Sequence, residues 1–142
     1  MAISHSMTGE CRYRAFKGEF DLDTGTADVY KMALYTDAAS IGIDTSAYTT
    51  SGEVVGTGYT AGGVTLSVNA LQLINNVACV DFDNPQWPSS TFTARGAMIY
   101  KEGGGNYALA VIDFGANKSV SNSLFEVVLP PVTDTTAIIR FA

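Results

Sequence analysis

From Val64 onward the chain is a succession of short β-branched and aromatic runs, each closed by Gly, Pro, Asn or Asp, and no other feature restricts its fold as much. VTLSVNALQLI, VACVDF, STFTARGAMIY, YALAVIDFG, LFEVVLP and AIIRFA follow one another about every dozen residues, too closely for crossover helices between them. Such strands must return antiparallel. KEGGGN, between Tyr100 and Tyr107, has the glycines of a hairpin loop, and VYKMALYT supplies an earlier strand.

This spacing predicts an all-β protein, an antiparallel β-sandwich of immunoglobulin-like or jelly-roll-like type. Residues 21–142 form the sandwich and residues 1–20 a short N-terminal helix or arm. In MTGECRYRAFKG, Met7, Cys11 and Ala15 share one helical face. DLDTGTAD is a turn. The tract from Asp37 to Gly63, rich in Ala, Ser, Thr and Gly, is too long for a hairpin and is expected to be a structured excursion, opening with a helical turn at DAAS. NPQWPSS, with Pro85 and Pro88 around Trp87, is expected to be an irregular crossover, because proline cannot donate to a ladder. The expected core contains Met32, Leu34, Leu66, Val80, Phe92, Ile99, Leu109, Val111, Ile138 and Phe141.

Only 15% of the 142 residues are charged while 46% are apolar, so the surface is short of charge. Burial against other chains, or a surface of Thr, Ser, Asn and Gly, would account for this. The net charge of −6 and the absence of any basic run argue against a nucleic-acid partner. No stretch has the apolar length of a signal peptide or a membrane span, which predicts a chain made and kept in the cytoplasm and without a membrane partner. Cys11 and Cys79 are far apart and are expected to be buried free thiols.

GEVVGTGYTAGG, residues 52–63, looks at first like a phosphate cradle. It contains no Lys, fits neither glycine spacing of the nucleotide motifs, and runs into a β-branched stretch rather than a helix. Gly58, Gly62 and Gly63 are therefore read as shaping a loop that bends sharply and approaches another backbone, with Tyr59 planted beside it. No other constellation signals chemistry. His5 is alone and near a terminus, Asp81 and Asp83 read as a strand end entering solvent, and Asp21 and Asp23 lack the glutamate a calcium loop requires. No catalytic group, cofactor or metal is expected. Tyr48, Tyr59 and Trp87 could stack on a sugar ring if they share an open cleft. Arg95, beside Gly96, is read as forking to a carboxylate in a structural or interface ion pair. Arg12, Arg14 and Lys17 give the N-terminal segment three of the eight basic groups and make it a candidate docking arm, one that could be removed without unfolding the sandwich.

KMALYTDAASIGIDTSAYTTSGEVVGTGYTAGGVTLS, with WPSSTFTARGAMIYK and LAVIDFGANKSV, resembles a family of small virion structural proteins of tailed bacteriophages, over about residues 28 to 141. The resemblance implies a non-enzymatic particle component. Its expected role is a capsid decoration or cement protein that oligomerises, a trimer being favoured at threefold lattice positions. The major capsid protein or other virion proteins would be its partners and the virion its location. A head–tail junction or tail component is the alternative. A carbohydrate-binding sandwich is the alternative of another class. Arg12, Arg14, Lys17, Tyr48, Tyr59 and Arg95 are the candidate interface residues.

Overall fold

A computed structural model describes residues 3–130 and 138–141. Its chain order is β1 (Ser6–Met7), α1 (Gly9–Phe16), β2 (Tyr30–Tyr35), β3 (Val64–Leu66), β4 (Val68–Ile74), β5 (Val77–Phe82), β6 (Gln86–Lys101), β7 (Ala108–Glu126) and β8 (Ile139–Phe141). A five-stranded sheet runs β1-β7-β6-β2-β3 and a three-stranded sheet β4-β5-β8. All the strand pairings are antiparallel, and together with the short helix they give the sandwich-like architecture that the strand spacing predicts.

Alternation along β2 shows how the larger sheet is packed. Tyr30, Met32 and Leu34 point into the core between the sheets, with Val80, Phe82 and Ile139 of the smaller sheet. Ala33 and Tyr35 point the other way, into a second cluster with Ile3, Ile41, Met98, Tyr100 and Val111. The larger sheet is thus buried on both faces. What covers its second face is the first part of the excursion, through Ala39, Ile41 and Tyr48, together with Ile3 near the start of the chain, while Val54 and Tyr59 further along pack on the inter-sheet side. Asp37 and Ala38 make a turn there rather than a helical turn.

β6 and β7 are longer than the sequence suggests. NPQWPSS is not a crossover: β6 begins at Gln86, and Pro88 falls in a register shift between Trp87 and Ser90, where no ladder hydrogen bond is required of it. YALAVIDFG and the start of LFEVVLP belong to one strand, joined by the polar stretch 115–124, which keeps pairing with β6. Between Ala94 and Gly96 the register jumps from Lys118 to Asp113, so β7 bulges at residues 114–117, with Gly115 at φ +80°. The bulge changes the alternation. Phe92 and Ala94 face the inter-sheet core before it, Ala97 and Ile99 after it. VTLSVNALQLI divides at Ser67, where the chain leaves one sheet for the other.

The N-terminal segment is stitched to the sheet. Ser6 and Met7 pair with Val111 and Ala110, and buried Thr8 caps α1 by accepting the Cys11 N–H at 2.9 Å while donating to Ala108 O at 2.8 Å. Ile3 and Cys11 are core residues. Deleting residues 1–17 would therefore take buried side chains from both clusters, which argues against an arm that can be removed without unfolding the sandwich. Of the expected core, Met32, Leu34, Leu66, Val80, Phe92, Ile99, Leu109 and Val111 are buried. Ile138 is only partly covered, and the side chain of Phe141 lies outside the described residues.

Candidate functional site

Glu53 is the acidic residue of the glycine-rich loop, and the fold buries it to 9% exposure. Three donors hold its carboxylate: the Tyr48 hydroxyl at 2.7 Å, the Tyr59 hydroxyl at 2.5 Å and the Gly62 N–H at 2.8 Å. A buried carboxylate needs such donors to offset its lost hydration. The Tyr59 oxygen also accepts the Leu34 amide of β2 at 2.9 Å, and the Tyr100 hydroxyl donates to Gly62 O at 2.7 Å. Tyr48 stacks on Tyr100 with ring centroids 4.7 Å apart, and Tyr35 donates to Thr49 O. Burial, followed by the hydrogen bond to Glu53, holds the Tyr48 and Tyr59 phenols well above their ordinary pKa.

The result is a clasp. It fixes the excursion of residues 37–63 over the sheet, with every named hydroxyl turned inward, and the glycines make the approach close enough. Gly62 and Gly63 have φ of +97° and +81°, and a Cβ on Gly63 would collide with the backbone carbonyl of Met32. Gly58 likewise has positive φ and lies against Ser90. The close backbone approach read from GEVVGTGYTAGG is what the structure contains.

The other expected residues are dispersed. Tyr59 does stack near Trp87, at 6.4 Å between centroids, but Trp87 is 2% exposed and packs edge-on to Phe125. The two rings plug the core and offer no open cleft to a sugar. Arg95 reaches Asp113 at 3.1 Å, and Asp113 also accepts the Gly115 N–H, so this pair pins the β7 bulge. The Gly115 bond, with the Arg95 charge, holds the Asp113 carboxyl below its ordinary pKa. Arg14 is bound to Glu10 and Glu19 and lies 3.8 Å from the Tyr107 ring centroid, while Lys17 pairs with Glu19. Arg12 is exposed on the same helix.

Cys11 and Cys79 are free and buried, and burial pushes the Cys11 thiol up to about 12, leaving it protonated and un-nucleophilic. Asp81 accepts from Asn69 at the base of β4, and Asp83 is exposed. Among the described residues no three His, Cys, Asp or Glu side chains are grouped as metal ligands, and no helix is long and apolar enough to cross a membrane. His5, set aside in the sequence, borders an apolar groove of about 400 Å³ with Ile112, Phe114, Phe125, Leu129 and Ile138.

Glu53 and Asp113 were not singled out from the sequence. A signal for Glu53 existed: it is the only charged residue between Asp44 and Asp81 and has a tyrosine five residues before and six after. Comparison with known protein families, curated proteins and solved structures finds no match to this chain.

Proposed function

We propose that this chain is a non-enzymatic structural protein of a tailed-bacteriophage particle, a capsid decoration protein that self-associates and sits on the shell. The observation that carries the reading is the surface. On a chain with so few charges, Val55 is 94% exposed and Leu73 73%, with Phe16 and Val128 also largely uncovered. Large exposed apolar side chains in such surroundings favour a protein that works in contact with others. The sequence resemblance supplies the kind of assembly. The tyrosine clasp fits the same role, since it spends its hydrogen-bonding groups on rigidity rather than on a ligand.

The experiment is quantitative analysis of particles purified from the phage that encodes the chain, scaled to the major shell protein. Hundreds of copies per particle are expected. About a dozen would place the protein at the head–tail junction or in the tail, and its absence from washed particles would sink the reading.

A further inference from the structure

Residues 54–80 form a run of 27 residues without one charged side chain, on a protein whose net charge is −6. β4, in the second half of that run, is an edge strand. It pairs with β5 on one side and with no strand on the other among the described residues. Natural edges carry charges, prolines or bulges that stop a second chain from adding to them. The outer edge of β7 has such devices in its bulge, in Asp113, Lys118 and Glu126, and in the short strand β1. β4 has one register shift, at its base between Val68 and Ala70, and from Ala70 to Ile74 it is regular. Leu71 pairs with core-facing Val80 and Leu73 with Ala78, so both leucines extend the inner face of the smaller sheet. Yet Leu71 is 44% and Leu73 73% exposed.

We infer that the free edge of β4 is a homotypic interface, two copies joining β4 to β4 antiparallel about a two-fold axis centred near Gln72. The contact makes one six-stranded sheet, β8-β5-β4-β4-β5-β8. It sets Leu71 of each copy opposite Leu73 of the other on a single face, so that four leucines cover one another. Charge selects the partner. Two chains that are each acidic repel wherever their carboxylates meet, and this uncharged edge strand is where they approach without that cost. The exposed apolar groups of α1, Tyr13 and Phe16, lack this property, since they sit among Arg12, Arg14 and Lys17.

The inference deepens the self-association in the proposed function but is tested without particles, so the failure of either is separately visible. Light scattering coupled to gel filtration should give twice the 15.0 kDa chain mass for the intact protein. Leu73→Lys should reduce it to the chain mass while leaving the circular dichroism spectrum unchanged, because that side chain is in solvent in the single chain. Val55→Lys, an exposed control outside β4, should leave the dimer intact. Single cysteines are then placed at positions 70 to 74 in a Cys79→Ala background, needed because Cys79 lies opposite Gln72 in the hairpin. Oxidation should link two chains with a sharp maximum at Gln72, where a two-fold brings like Cα atoms within about 4.5–5.5 Å. A maximum at a neighbouring position of β4 keeps the edge pairing and moves only the axis. A monomer at all concentrations, an oligomer indifferent to Leu73→Lys, or uniform cross-linking across β4 would overturn it.

Discussion

The Tyr59 hydroxyl and the Glu53 carboxylate meet at 2.5 Å, and the same Tyr59 oxygen receives the Leu34 amide. One phenol thereby ties the glycine-rich loop to the strand beneath it. Glu53→Ala would leave the Tyr48 and Tyr59 hydroxyls and the Gly62 N–H without their acceptor, at a cost of roughly 2–4 kcal/mol. Glu53→Gln keeps one acceptor oxygen and should cost less. Urea unfolding followed by circular dichroism measures both, and equal midpoints for wild type and Glu53→Ala would refute the clasp.

Gly63 and Gly115 share positive φ but differ in surroundings, so they separate strain from collision. A Cβ at Gly115 meets nothing within 4 Å, whereas one at Gly63 meets the Met32 carbonyl and Ala33 backbone. Gly115→Ala should cost about 1 kcal/mol through backbone strain alone. Gly63→Ala must also push the loop off β2, and a loss of roughly 3 kcal/mol or more is expected. Similar losses at the two positions would contradict the close approach.

Alkaline pH should unfold the protein through its tyrosines. Burial, then the Glu53 hydrogen bond, raises Tyr48 and Tyr59 above the ordinary value of 10.0, and burial with the charges of Glu102 and Glu53 pushes Tyr100 up to about 12. A phenol whose folded pKa is raised contributes stability that is fully present below its unfolded pKa. That stability is lost as pH rises from about 10 through the folded values. Phenolate absorbance at 295 nm should therefore appear for these residues together with loss of the circular dichroism signal. Full ionisation of all seven tyrosines with the fold intact would exclude this.

Removing residues 1–17 should leave a chain that no longer unfolds cooperatively, since Ile3, Thr8 and Cys11 are all buried. Thr8→Ala is the milder test. It removes the cap of α1 and the bond to Ala108, for about 1–2 kcal/mol. A truncated chain with the wild-type melting temperature would show that the segment is dispensable.

The sequence by itself determined the elements whose cause is local. β-branched runs such as YKMALY and VACVDF commit to strands because their neighbours along the chain fix the backbone. The three glycines after Glu102 demand a turn, and glycine at 62 and 63 signals positive φ and a near backbone. The core residues of these runs were legible for the same reason. Only the tertiary structure decided which side of each strand is covered, and by what. Tyr35 and Met98 are as buried as Met32 because Ile3, Ala39, Ile41 and Tyr48 lie over the second face, and no alternation in β2 announces that cover. The polar stretch 115–124 stays in β7 because β6 pairs with it, although its own residues favour a loop. Glu53 finds its tyrosines, and Arg95 its Asp113, through pairings formed across the fold. Local preference acts over a few residues, while partners and faces depend on which distant segments the chain brings together.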